Sequence, residues 1–197
     1  MTARLHIGLT GGIACGKSTL AEGLRARGWH VIDTDKIAHQ VLAAGTETWK
    51  IVVDEFGPSV LQPDQSIDRK VLGRLVFADP QLRAKLNEIT HPAIRSLWQR
   101  EREERARTHP TQPLAVMIPL LYECALEQAF PAVWCVGASR RVQIRRMRAR
   151  GLSEQEVNQR LQSQMPVADK MARAHLAFWG EGTPATLLAQ LDHVRFA

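Results

Sequence analysis

The sequence predicts an α/β fold with parallel strands, and three observations carry that prediction. The first 33 residues run strand, glycine-rich loop, helix, strand, a succession that calls for a right-handed crossover between parallel strands. Two later apolar runs, "PLAVMIP" at 113–119 and "AVWCVGA" at 132–138, read as strands buried on both faces. The loop, "GGIACGKS" from Gly11 to Ser18, satisfies G-x-x-x-x-G-K-[ST] after a strand and before a helix, the context in which that pattern holds phosphate.

Residues 5–10 form the first strand. The helix over 17–27 turns Leu20 and Leu24 inward, and Gly28 stops it. "WHVID" at 29–33 is the second strand. Helical patterns follow from Lys36 to Ala44, ending at Gly45, and from about Thr46 to Phe56, ending at Gly57. After a turn-rich interval, Asp68 caps "RKVLGRLVFA", and Asp79 before Pro80 caps the next helix. That helix is expected to break at His91–Pro92, where a second, long polar helix begins. Ser139 caps an arginine-rich helix ending at Gly151, "SEQE" at 153–156 is a capping box, "HLAFW" holds a short strand, and a helix runs from about Pro184 to His193.

The 197 residues fit one chain with insertions, long enough to bury a core. No run of 18 apolar residues suggests a membrane span. The N-terminus enters a strand without a signal-peptide pattern, so a cytoplasmic location is expected. Cys15, Cys124 and Cys135 have neither paired metal-ligand spacing nor a disulfide framework. The five tryptophans are scattered along the chain, as core residues would be, with no stacking platform for bases. The net charge of +6 favours an anionic partner. Residues 100–109 mix both signs, whereas "SRRVQIRRMRARG" at 139–151 has six arginines and no acid, so only the latter looks like an anion site.

Glycines let the loop turn its N–H groups around an anion, and the following helix adds its N-terminal dipole. Lys17 reaches the terminal phosphates and Ser18 binds Mg²⁺. "DTD" at 33–35 lies at the carboxyl end of the second strand, where ligands of open α/β sheets bind. Asp35 either receives the proton of an attacking hydroxyl or, with Asp33, caps the next helix. Arg146 and Arg150, four apart, share a helix face; they belong either to a solvated basic face or to a lid that closes over phosphates and supplies charge in the transition state. Glu123, near the end of the third strand, either holds Mg²⁺ through water or caps a helix. His91 reads by default as a structural histidine at a helix end.

In order and spacing, "IGLTGGIACGKST", "VIDTDKIAHQV", "IDRKVLGRLVFADPQLRAKLNEITHPAI", "MIPLLYE" and "VQIRRMRARGLSEQEVNQRLQSQMP" resemble the dephospho-CoA kinases. The resemblance covers most of the chain. It implies a P-loop NTPase fold of three layers, α/β/α, with a five-stranded parallel sheet, a helical substrate-binding insertion and a helical lid. The expected division is a core at about 1–45, 111–138 and 172–197, a substrate-binding region at about 46–110 and a lid at about 139–171. The implied reaction, that of a phosphotransferase with an alcohol acceptor, moves the γ-phosphoryl group of ATP to the ribose 3′-hydroxyl of dephospho-CoA. ATP and Mg²⁺ are the implied cofactors. Gly11, Gly12, Ile13, Ala14, Cys15, Gly16, Lys17, Ser18 and Thr19 would bind nucleotide, with Ser18 on the metal. Asp35, Lys17, Arg146 and Arg150 would be catalytic, and Asp35, Arg69 and His91 would meet dephospho-CoA. No nucleic acid, membrane or obligate protein partner is expected. The alternatives are a related kinase for a nucleotide or sugar and a nucleic-acid-binding ATPase; a GTPase lacks its N-K-x-D motif here.

Family loops usually read G-G-I-G-[ST]-G-K-[ST], and here Ala14 and Cys15 replace the glycine and the hydroxyl residue. Near the C-terminus His175 and Gly180 stand where the family commonly has aspartate and asparagine.

Overall fold

The structure is a computed structural model that describes residues 5–194. The extreme ends of the expected core, 1–4 and 195–197, lie outside the described residues. Two compact units emerge: one takes the chain up to Asp33 and from Glu104 onward, the other is Thr34–Glu103. Each has an apolar core of its own.

In the first unit five strands among the described residues form one parallel sheet: β1 (His6–Gly11), β2 (His30–Asp33), β3 (Leu114–Met117), β4 (Ala132–Gly137) and β5 (Leu176–Trp179), ordered β2-β3-β1-β4-β5. The helix α1 (Lys17–Ala26) carries the chain from β1 past the place of β3 to β2. The later strands β4 and β5 lie on the other side of β1. Connections therefore diverge at the carboxyl ends of β1 and β3, where sheets of this kind open a crevice. Strand β3 is buried along its whole length, in keeping with its continuous apolar run.

Two of the five tryptophans, far apart in sequence, meet in the core. The rings of Trp29 and Trp134 lie 5.5 Å apart, and those of Trp134 and Phe178 5.4 Å apart, both pairs tilted. This run of aromatics fills the core at one side of β4, a geometry that favours ring contacts. Trp179, by contrast, is exposed.

The second unit is helical: α2 (Thr34–Val41), α3 (Glu47–Phe56), α4 (Arg69–Ala78) and most of α5 (Pro80–Thr108). Side chains cap these helices, at Asp68 and Asp79 as expected and at Thr46 in addition. Thr46 Oγ1 accepts the Trp49 N–H, Asp68 accepts those of Lys70 and Val71, and Asp79 accepts that of Gln81. Helix α2 begins two residues earlier than the sequence pattern suggests, directly after β2, which puts Asp35 in its first turn.

The expected break at His91–Pro92 does not occur; α5 runs through it with Pro92 in its interior. A proline removes its own N–H and crowds the carbonyl four residues back, here Glu88. That loss is local. Leu82, Leu86 and Ile89 pack on the helical core before the proline, Trp98 is buried after it, and Thr90 Oγ1 donates to the Leu86 carbonyl at 2.8 Å. Packing on both sides holds the helix together across the defect.

The remaining helices belong to the first unit: α6 (Arg140–Ala149), capped by Ser139; α7 (Glu154–Gln162), opened by the Ser153–Glu156 capping box; α8 (Val167–Arg173), which the sequence reading did not anticipate; and α9 (Pro184–Ala189), continued by a 3₁₀ turn over Gln190–His193. No helix among the described residues is long and apolar enough to cross a membrane. If Pro92 is a tolerated defect, Pro92→Ala restores the bond to Glu88 and stabilises the protein by ~1–3 kcal/mol; thermal melting checks this, and a lower melting temperature contradicts it.

Candidate active site

The loop between β1 and α1 is built by backbone conformations that few residues adopt. Gly11, Ala14 and Gly16 have φ of 148°, 58° and 109°. Gly11 must be glycine for a second reason as well, because a Cβ there would overlap the Val136 carbonyl on the neighbouring strand. Ala14 holds a left-handed φ with a side chain, a conformation that costs an L-residue roughly 1–2 kcal/mol.

The loop's carbonyls find donors one by one. Lys17 Nζ donates to the carbonyls of Gly11 at 3.0 Å and Gly12 at 2.9 Å. The Cys15 N–H also donates to Gly12, at 3.3 Å, and Cys15 Sγ to the Ile13 carbonyl at 3.6 Å. Arg146 reaches from α6 to donate Nη1 to the Ala14 carbonyl at 3.0 Å; its Nη2 donates to the carbonyls of Gly180 at 2.6 Å and Gly182 at 3.3 Å. One guanidinium thus joins the loop to the turn after β5, a task its planar fork of donors suits. Gly180 approaches so closely that a Cβ would overlap the Cys15 carbonyl oxygen.

Both departures from the family pattern acquire a structural meaning. The Cys15 side chain is fully buried in the core, and burial pushes its thiol pKa up; it fills space beneath the loop as a small apolar residue. Gly180 permits the close approach just described. His175 Nδ1 accepts the Val133 backbone N–H at 3.1 Å while the His175 backbone N–H donates to the Val133 carbonyl at 2.9 Å, so its side chain supplies an acceptor just before β5.

Around the loop, α6 and α7 close a small apolar cluster of Ala14, Met147 and Val157, with Ile13, Ile144, Leu152 and Leu161 against it. Ser18, in the first turn of α1, is exposed, and Thr19 is half-buried. Arg150 is exposed and caps the C-terminus of α6. Asp33 ends β2 in register with Met117 of β3, and Asp35 is exposed in the first turn of α2.

In the helical unit Arg69 is the first residue of α4 and lines a cavity of about 560 Å³ with His39, Gln62, Ser66, Asp68 and Lys70. Partial burial lowers the pKa of its guanidinium. His91 does not line that cavity; it sits within α5, where burial lowers its pKa and favours the neutral ring. The Glu123 carboxylate is engaged within the protein: its Oε1 pairs with Lys170 Nζ at 2.7 Å and accepts the Met165 N–H at 2.9 Å. Lys170 and Gln164, which also touch this network, carry no motif that marks them in the sequence.

A parallel sheet ordered β2-β3-β1-β4-β5, with a G-x-x-x-x-G-K-[ST] loop leaving its central strand, defines a P-loop kinase fold that uses a nucleotide. The family model for dephospho-CoA kinase matches residues 5–183. A dephospho-CoA kinase of Anaeromyxobacter dehalogenans is 47% identical over 95% of this chain and 89% of its own length. One from Geobacter sulfurreducens is 43% identical over 95% of both chains. A crystal structure from Thermus thermophilus superposes with a TM-score of 0.75 at 34% identity, covering 97% of this chain and 96% of its own. The chain belongs to the dephospho-CoA kinase family.

The strained φ at Ala14 gives a direct test. Ala14→Gly relieves it and raises stability by ~1 kcal/mol, a rise in Tm of about 2–4 °C, with ATP affinity unchanged; calorimetric melting and titration measure both.

Proposed function

We propose that the protein transfers the γ-phosphoryl group of ATP to the 3′-hydroxyl of dephospho-CoA, giving CoA and ADP, the last step of coenzyme A biosynthesis. The observation that carries this reading is the loop from Gly11 to Ser18, with its outward carbonyls bonded by Lys17 and Arg146, in a chain of this family.

In this reading the loop from Gly11 to Thr19 binds the polyphosphate through its backbone N–H groups other than that of Ile13, which goes to Gln164 Oε1, and through the N-terminus of α1. Lys17, already beside the loop, neutralises charge on the terminal phosphates. The Ser18 hydroxyl would hold Mg²⁺, which would supply charge neutralisation to the phosphates. Among the described residues no group of three or more His, Cys, Asp or Glu is placed to hold a metal, and this donor set suits a cation that keeps its waters and arrives with the nucleotide. Asp35 orients the 3′-hydroxyl and takes its proton as the oxygen bonds phosphorus and ADP leaves. Arg150 supplies further positive charge to the transferring group. For Arg146 the three carbonyl contacts favour a share in shaping the site through the loop. The cavity beside Arg69 and Lys70 offers cationic groups to the pyrophosphate of the acceptor, and His91 completes the substrate-binding set. The labour is divided in this reading among the core, a helical substrate region and a lid over about 139–171, the helical unit running over Thr34–Glu103 where the sequence suggests about 46–110.

The reading is tested by following ADP release over a panel of acceptors that includes dephospho-CoA, nucleotides, sugars and nucleic acid. Turnover with dephospho-CoA is expected, and silence with it overturns the proposal. In the same assay Asp35→Asn keeps the wild-type ATP affinity while kcat falls about 10²–10⁴-fold; undiminished turnover removes Asp35 from its role.

A further inference from the structure

The connector between α7 and α8 contains a contact to the phosphate loop that the mechanism above does not use. The Ile13 N–H donates to Gln164 Oε1 at 3.1 Å. The peptide unit that carries this N–H also carries the Gly12 carbonyl, which accepts Lys17 Nζ at 2.9 Å. One peptide plane is therefore held at both ends, by Gln164 on its donor and by Lys17 on its acceptor. Were that plane to rotate, the lysine would lose the carbonyl that places it.

Gln164 is itself held from behind. The next residue, Met165, donates its N–H to Glu123 Oε1 at 2.9 Å, and the same oxygen pairs with Lys170 Nζ at 2.7 Å. Lys170 is fully buried and donates also to the Pro119 carbonyl at 2.8 Å. Thr10 Oγ1, one residue before the loop begins, donates to that same carbonyl at 3.2 Å. A buried ammonium ion is tolerated only while its carboxylate stays in place, so Glu123 is a fixed anchor for the connector. The network runs from the end of β1, through the segment after β3 and the buried pair, to the connector, and back to the loop.

We propose that Gln164 is a positioning residue for phosphoryl transfer: backed by the Lys170–Glu123 pair, it fixes the Gly12–Ile13 peptide plane and through it the ammonium group of Lys17. The proposal rests on the reading that this loop binds ATP. It does not depend on which acceptor the enzyme uses.

Gln164→Met keeps the side chain's length and removes the acceptor. Binding of ATP by titration calorimetry is expected to weaken about five- to tenfold, and kcat/KM for ATP to fall at least as far, while Tm and the KM for dephospho-CoA stay at wild-type values. Gln164→Asn, which keeps the amide but falls short of Ile13, is expected to behave alike and serves if the Met variant does not fold. Unchanged ATP affinity overturns the proposal. So does a loss of ATP affinity that comes with a lower Tm and a raised KM for dephospho-CoA, since that marks a general loss of structure. The ATP titration needs no acceptor, so wild-type silence with dephospho-CoA would sink the assigned reaction while leaving this readout intact.

Discussion

A loop that gathers N–H groups toward an anion must turn its carbonyls the other way, and each of those carbonyls needs a donor. Much of the first unit is arranged to meet that requirement. Lys17 serves Gly11 and Gly12 from within the loop's own helix. Arg146 serves Ala14 from α6, more than a hundred residues later in the chain. Without such donors the loop would trade its conformation for one that satisfies its carbonyls locally, and the anion site would be lost with it.

The demand propagates outward. While Arg146 Nη1 reaches Ala14, the turn after β5 takes its second nitrogen through the Gly180 and Gly182 carbonyls. That turn lies where it does because β5 pairs with β4 and Gly180 donates its N–H to the Gly137 carbonyl at 2.7 Å. Beneath it the Trp29, Trp134 and Phe178 rings and the buried Cys15 fill the core. Burial of apolar area stabilises this layer, and the hydrogen bonds decide which of its possible loop conformations survives. Stability and chemistry thus share residues, which is why a family departure such as Cys15 is accommodated through packing.

Much of this was legible in the sequence where the determinants are local. The phosphate loop, the caps at Asp68, Asp79 and Ser139, and the Ser153–Glu156 box each lie within a few residues of what they control. The continuous α5 was not legible, because proline's local penalty was visible at Pro92 while the packing of Leu82, Leu86 and Ile89 that offsets it was not. Helix α8 was missed because its seven residues carry no side-chain cap. Arg146 was singled out for its charge, but its partners are backbone carbonyls at Ala14, Gly180 and Gly182, and no pattern in the sequence names a carbonyl. Glu123 reads in sequence as an acid near a strand end; its partner Lys170 lies 47 positions away in a helix without a motif.

Arg146 shapes the phosphate loop through its fork of donors and not through charge alone. Arg146→Lys keeps the charge and gives up the fork. Titration of ATP into this variant is the most direct test. Affinity is expected to weaken by about tenfold, because the Ala14 carbonyl and the turn after β5 can no longer be held together; wild-type affinity in the lysine variant would overturn that role for Arg146.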